Sequence, residues 1–400
     1  MNKYILHTIK KYIPIFSILF IFLIVMFSLT ITTTTSYIYK QTSIGDTKYH
    51  GSSHLTVLEM YTIGLLIFCM VAPIFANTYR YSLKQADFYN QTGKSTKTFR
   101  YINNIVLLVG ILAIYTFMIS LFTLFSYIRD VNNLSLSTST TTSTRTYFVP
   151  EYGYFYLSYL LIALISIGNY AFSYFLVTRS NNFINSILTL ICGYIALIFL
   201  FSCPIQYIQV LSRTAFQNGK FANNLTLGIH LFGGFGSPTR LVFDFIGRYM
   251  HPEVIRFKPK YNTATLVLAI LNTLSFVAVS VLSVVCFFKE KESGGDLAGS
   301  VKGRGKLQDI LYYIAISKLM LRAGAASQML SNKPYNLHVF IIIFLSGALV
   351  TFYVTNSIKN RNFKINKSNI KIYLSFSSIF VGSFLLEYLS AVIVHSVNNV

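Results

Sequence analysis

Residues 78–103, TYRYSLKQADFYNQTGKSTKTFRYIN, form a polar stretch between two long apolar stretches. We call this stretch the bridge. Its charged residues are five basic ones and a single acid, namely Arg80, Lys84, Asp87, Lys94, Lys97 and Arg100. Each neighbouring apolar stretch is long enough to cross a bilayer, which takes about 20 residues. Because Lys and Arg beside a span resist translocation, the bridge is predicted to lie in the cytoplasm.

The composition is typical of a polytopic helical membrane protein. Of the 400 residues, 54% are hydrophobic and only 11% are charged, and the mean hydropathy is +0.56. The apolar residues are grouped in long blocks, which a single soluble core does not need. The net charge of +21 comes from Lys and Arg that lie between these blocks. Orientation in the membrane explains them, so nucleic acid is not expected as a partner.

The predicted fold class is all-α, with about nine transmembrane helices and eight as the alternative count. The predicted spans are residues 13–34, 55–77, 104–127, 154–177, 183–202, 264–288, 310–329, 339–356 and 372–394. The seventh is marginal, because Lys318 and Arg322 are costly inside a bilayer unless they face other helices or water. It is included because the basic segment 358–371 is expected to be cytoplasmic. The span 339–356 can enter that segment from outside only if the stretch before it crosses the membrane outward. This topology places the N-terminus inside the cell and the C-terminus outside.

The spans divide the chain into three predicted regions. Residues 1–203 hold the first five spans and the bridge, and residues 204–263 form an extracellular connection. Residues 264–400 hold the remaining spans, with cytoplasmic loops at 289–309 and 358–371. The link 128–152 is rich in Ser and Thr and nearly balanced in charge, which suits the outer face.

The bridge itself is predicted to form a helix, an elbow and a second helix. Tyr79, Leu83 and Ala86 have the i, i+4, i+7 spacing of one helical stripe. Thr92-Gly93 is typical of a helix stop, and Ser95 or Thr96 is typical of the N-cap of the helix that leads into the third span. Such an element can transmit force from another polypeptide. The alternative is an interfacial helix whose aromatic residues contact only lipid headgroups.

A nucleotide site on this chain is not expected. Gly93-Lys94-Ser95 resembles the end of a P-loop, but Phe88 stands where that motif needs its first Gly. If ATP drives this protein, it therefore acts on another chain.

The bridge resembles the first cytoplasmic loop of the ABC-2-like permease subunits of low-GC Gram-positive bacteria. That family shows an Asp and two aromatic residues, a Leu-Pro turn, and then Ser-Arg and an aromatic residue. The matching residues here are Asp87, Phe88, Tyr89, Ser95 and Phe99. The sequence departs from the pattern at Thr92-Gly93, which replaces Leu-Pro, and at Thr96, which replaces the Arg, with Lys97 as a substitute.

Two further segments resemble the same family. After the sixth span, Lys289, Glu292 and Gly295 match its pattern of a basic residue, Glu and Gly, with Lys where Arg is usual. In the extracellular connection, residues 237–241, SPTRL, resemble a recurrent Ser-Pro segment.

The resemblance implies a permease of the cell membrane that pairs with a second permease subunit and with cytoplasmic ABC ATPases. ATP and magnesium would bind the ATPase, so this chain would carry no cofactor and no enzyme activity of its own. The residues expected to couple to the ATPase are Tyr79, Arg80, Leu83, Asp87, Phe88, Tyr89, Lys94, Lys97 and Arg100. The cargo is predicted to be amphipathic or lipid-like, because the spans are aliphatic and aromatic with little charge.

Few polar residues lie inside the predicted spans. Glu387 is the clearest acid in an apolar run, and it could contact substrate or pair with Lys318 or Arg322. The set His230, Asp244, His251 and Glu253 has no metal-ligand spacing, so no metal site is predicted. An ion-coupled secondary carrier is the main alternative function, although the first six spans hold essentially no acids. A membrane enzyme would need a cluster of convergent polar residues, which the sequence does not suggest.

Overall fold

The structure is a computed structural model that describes twelve segments of the chain. They are residues 2–33, 38–43, 46–50, 54–78, 96–134, 139–140, 143–148, 152–180, 183–198, 263–289, 309–319 and 374–386, with the single residues 238, 242, 353, 371 and 389.

Eight helices lie within these described segments. They are α1 (Asn2–Thr33), α2 (His54–Ala76), α3 (Thr96–Leu134), α4 (Tyr152–Thr178), α5 (Phe183–Ile198), α6 (Thr263–Lys289), α7 (309–319) and α8 (Leu374–Leu386). The helices α1 to α6 overlap the first six predicted spans, and α7 and α8 overlap the predicted seventh and ninth. The predicted eighth span lies outside the described residues except for Tyr353.

Four of the described helices are long and apolar enough to cross a membrane. Their apolar segments are Tyr4–Ser28, Thr98–Ile128, Tyr156–Thr178 and Ile270–Lys289. Shorter apolar segments are found in α2, α5 and α8. The predicted class of a helical membrane protein is confirmed at this level, whereas the count of nine spans stays a prediction.

The chain divides into two compact units. The first unit comprises Met1–Tyr174, Thr239–Pro259 and Ser283–Leu297. The second comprises Phe175–Pro238, Lys260–Leu282 and Ala298–Val400. The predicted division into three topological regions stays a prediction.

The first four helices alternate in direction within the first unit. Tyr4 of α1 contacts Phe99 of α3 with ring centroids 4.4 Å apart, and Phe27 contacts Phe122 at 6.0 Å, so α1 and α3 run parallel. In contrast, α4 runs antiparallel to α3. Its early Tyr159 bonds to Thr116, and its later Tyr170 bonds back to Asn104. This alternation agrees with four successive crossings of a membrane.

The core of the first unit lies between α1, α2, α3 and α4. Its fully buried members include Leu19, Leu65, Ile111, Tyr115 and Ile162. At Gly64 of α2, an added Cβ would lie 2.7 Å from the hydroxyl oxygen of Tyr115. The absence of a side chain there lets α2 and α3 approach closely, as small residues commonly do between membrane helices.

A four-stranded antiparallel sheet joins the two polar links at one end of this helical bundle. Its strands are β1 (Ile38–Ser43), β2 (Asp46–His50), β3 (Ser139–Thr140) and β4 (Ser143–Phe148), in the spatial order β2-β1-β4-β3. We call this end of the first unit the sheet end. The sequence analysis did not predict the sheet, which pairs the link after α1 with the link after α3.

Helix α3 is much longer than the predicted third span. Its 39 residues correspond to about 58 Å at 1.5 Å per residue, against about 30 Å for the hydrocarbon layer. Hydropathy locates only the apolar middle, whereas packing determines where the helix ends. At one end α3 packs against β4, and at the other Phe99 packs against Tyr4. The start at Thr96 confirms the predicted N-cap region, whereas the end at Leu134 lies seven residues beyond the predicted span.

Candidate functional site

The end of the first unit opposite the sheet holds the start of α3, whose first eight residues are the last eight of the bridge. We call it the bridge end and define it by Tyr4, Phe99, Asn104, Tyr170 and Phe287. Helix α2 finishes on the other side of the bridge, where the Asn77 side-chain amide donates to the Pro73 carbonyl at 2.7 Å. The same carbonyl also accepts from the Asn77 backbone N–H at 3.2 Å, so both groups of Asn77 bind the last turn of α2.

Side chains in the first turns of α3 are buried in the protein. Phe99 is buried, and its ring meets that of Tyr4 edge-on at an interplanar angle of 71°. Arg100 is only 1% exposed, and its guanidinium lies 5.9 Å from the Tyr101 ring centroid. A basic residue predicted to touch a separate ATPase is therefore buried within this chain.

A buried amide connects α3 to α1. The Asn103 side-chain oxygen accepts a hydrogen bond from the Tyr4 hydroxyl at 3.2 Å, and the Thr8 hydroxyl lies within 3.5 Å of the same oxygen. The Asn103 side-chain nitrogen is buried without a hydrogen-bond partner among the described residues. Since each hydrogen bond between membrane helices contributes roughly 0.6 kcal/mol on average, this contact is modest.

A second buried amide connects α3 to α4. The Tyr170 hydroxyl donates to the Asn104 side-chain oxygen at 2.8 Å, and the Asn104 amide donates to the Arg100 carbonyl at 2.8 Å. The neighbouring Asn169 donates to the Leu66 carbonyl of α2 at 2.8 Å. These polar groups are satisfied inside an apolar bundle, so they specify how α2, α3 and α4 fit together.

Helix α6 ends at the same place. The Tyr101 hydroxyl lies 3.3 and 3.2 Å from the carbonyl oxygens of Phe287 and Phe288, so its one proton is shared between them. Its ring lies 4.9 Å from that of Phe287, centroid to centroid. Phe287 also meets the Tyr174 ring of α4 edge-on at 4.7 Å. Lys289, the first residue of the second predicted cytoplasmic motif, follows directly and is exposed.

Most of the predicted site residues lie outside the described part of the chain. These are Tyr79, Arg80, Leu83, Asp87, Phe88, Tyr89, Lys94, Glu292, Gly295, Arg322 and Glu387. Lys97 lies in the first turn of α3, and nothing is described of its side chain. The four candidate metal ligands of the predicted extracellular connection are also outside. Of its Ser-Pro segment only Pro238 is described, and it is buried.

The predicted intramembrane lysine is buried in the second unit. Lys318 lies in α7 and is 1% exposed, next to the fully buried Ser317. A Lys in this position faces protein and not lipid, as membrane helices require of their charged residues.

Sequence reasoning missed the residues that join the bridge end. Tyr4, Tyr101, Asn103, Asn104 and Tyr170 received no role, although two of them form an amide pair at the start of an apolar run. An amide within a membrane helix is usually placed between helices, because lipid offers it no partner. That signal could have found Asn103, Asn104 and Asn169, but their partners follow only from the packing.

No protein-family model, no curated protein sequence and no solved structure matches this chain.

Proposed function

We propose that this protein is the membrane subunit of an ATP-driven ABC exporter whose ATPase is a separate polypeptide. The observation that carries the proposal is the meeting of α3 and α6 at the bridge end. Helix α3 begins within the basic bridge, and α6 leads into the second motif at Lys289. Two segments with family-like patterns thus leave one face of the first unit, where a single partner could contact both.

The charge of the bridge supports a cytoplasmic partner. The bridge has five basic residues and one acid, and α6 ends on Lys289. Basic segments next to membrane helices are retained in the cytoplasm, which is where ATP is available. The first unit also places the polar links of the sheet at its opposite end, in agreement with an outer location for them.

The cargo is proposed to be amphipathic or lipid-like. The helices present large exposed aliphatic and aromatic side chains along their length, such as Ile18, Phe125 and Leu164. Their buried polar groups are mainly hydroxyls and amides, which bind uncharged polar groups through hydrogen bonds. A second permease subunit, identical or different, is part of this proposal.

The proposal is tested by purification from membranes of the native cell. The full-length tagged chain should co-purify an ATP-binding-cassette ATPase, and inverted vesicles should move a fluorescent short-chain phospholipid or an amphipathic peptide only with ATP. Phe88→Ala in the bridge should weaken both results about tenfold or more, because it removes an aromatic contact from the coupling segment.

Phe117→Ala is the matched control, since it makes the same change at a residue that is 54% exposed within α3. It should leave ATPase binding and transport close to those of the wild-type protein. The proposal fails if no ATPase co-purifies and Phe88→Ala transports normally. Transport driven by a proton gradient in ATP-depleted vesicles would instead establish the secondary carrier.

A further inference from the structure

The end of α6 is capped by a side chain from another helix. The last four carbonyls of an α-helix have no partner within that helix. In α6, which ends at Lys289, two of these four belong to Phe287 and Phe288. Both lie within hydrogen-bond distance of the Tyr101 hydroxyl of α3, whose one proton they share. Tyr101 thus takes the role that a helix cap normally fills from the same segment of chain.

The Tyr101 ring adds a second, apolar connection to the same helix end. Its centroid lies 4.9 Å from Phe287 and 6.1 Å from Phe288, in tilted arrangements. Such aromatic pairs are favourable beyond the area that they bury. Because Phe287 also contacts Tyr174, the residue ties α6 to α3 directly and to α4 through a shared ring.

Tyr101 belongs to the part of the bridge that lies in α3. The helix begins at Thr96, so Tyr101 is in its second turn. Phe99 and Arg100 in the same turns are buried. A displacement of the bridge therefore shifts Tyr101, and then either α6 follows or the hydrogen bonds to its carbonyls break.

We infer that Tyr101 is the positioning residue that carries movement of the bridge to the end of α6. This inference rests on the proposed function, since it assigns a route for the force that an ATPase would apply. Tyr101 acts through its contact with α6.

The contact is tested first without reference to transport. Spin labels are placed at the exposed Thr98→Cys and Lys289→Cys in a full-length chain whose Cys69, Cys192, Cys203 and Cys286 are replaced by Ala. Double electron–electron resonance should give a narrow distance distribution, which Tyr101→Phe should broaden because the ring stays and the hydrogen bonds are lost. An unchanged distribution in Tyr101→Phe overturns the inference.

The coupling is tested in the complex with the co-purified ATPase. Tyr101→Phe should lower the number of cargo molecules moved per ATP hydrolysed by about two- to tenfold, the range that the loss of one neutral hydrogen bond gives. A residue that only stabilised the fold would lower the amount of protein and leave this ratio unchanged. Tyr101→Leu, which removes the ring contact as well, should lower the ratio further.

Tyr127→Phe is the matched control, because Tyr127 lies in the same helix and is 51% exposed. It should keep the wild-type ratio and the narrow distance distribution. An equal ratio in Tyr101→Phe and wild type overturns the inference while the proposed function stands. If no ATPase binds the wild-type chain, the proposed function fails, and the distance measurement still decides whether Tyr101 holds α6.

Discussion

The two ends of the first unit are held together by different kinds of bond. At the sheet end, the links between helices pair through backbone hydrogen bonds, with Tyr39 opposite both His50 and Tyr147. At the bridge end, single side chains make the connections, as Tyr170 does to Asn104. A backbone ladder is cooperative and largely independent of side-chain identity, whereas single side-chain bonds can break one at a time.

This difference indicates which end can rearrange. A bond between membrane helices contributes about 0.6 kcal/mol on average, so a partner that binds the bridge can replace several such bonds at modest cost. Breaking the ladder would expose several backbone groups at once, each of which needs a partner. The sheet end is thus suited to hold the links in register while the bridge end moves.

The largest expected effect comes from testing on which side of the membrane each end of the first unit lies. In a chain without its native cysteines, Thr47→Cys in β2 should react with a membrane-impermeant maleimide in intact cells. Lys94→Cys in the bridge should react only after permeabilisation, because the basic bridge is predicted to be cytoplasmic. Labelling is read by mass shift on a gel. If Lys94→Cys reacts in intact cells, the orientation and the proposed function are both wrong.

The next largest effect tests the ladder at the sheet end. Lys40 lies in the central strand β1, opposite Tyr49 and Thr146. Lys40→Pro removes a backbone donor and leaves a carbonyl unpaired, and it should lower the free energy of unfolding by about 2 kcal/mol. Lys40→Thr keeps the donor and favours a strand, so it should stay within about 0.5 kcal/mol. Equal thermal unfolding of the two variants would contradict the sheet.

The smallest effect compares two buried tyrosines. Tyr170→Phe leaves the Asn104 oxygen without its donor, whereas Tyr159→Phe leaves the Thr116 hydroxyl still bonded to the Leu112 carbonyl at 2.7 Å. We expect losses of about 1 kcal/mol for the first and less for the second. Thermal unfolding in one detergent measures both. A larger loss for Tyr159→Phe would show that the amide contact does not hold the bridge end.

Much of the helical architecture could be predicted from the sequence. The alternation of apolar and basic stretches gave the positions of six helices, because hydropathy reports directly on burial in lipid. It could not give the sheet, since residues 38–43 and 143–148 are far apart in sequence and carry no apolar alternation. It also could not give the true length of α3, whose polar ends are stabilised by contacts with other elements.

The site was predicted less completely than the fold. Charge indicated the bridge, and an aromatic pattern indicated Phe99, but Arg100 was expected to face a partner and is instead buried. The sequence around a basic residue next to a span is the same whether its side chain faces water, headgroups or protein. The packing of α1, α3 and α4 determines which of these it faces, and that packing cannot be read from the sequence.

The sequence by itself determined that this is a membrane protein with a basic, aromatic segment between its second and third helices, because the cost of placing charge in lipid acts on each segment separately. Only the tertiary structure decided that this segment leads into a helix tied to the end of α6 through Tyr101, and that the opposite links form one sheet. Those features depend on contacts between residues 186 positions apart, as for Tyr101 and Phe287. Local sequence patterns do not predict such contacts, because the contacts form only when several helices pack together.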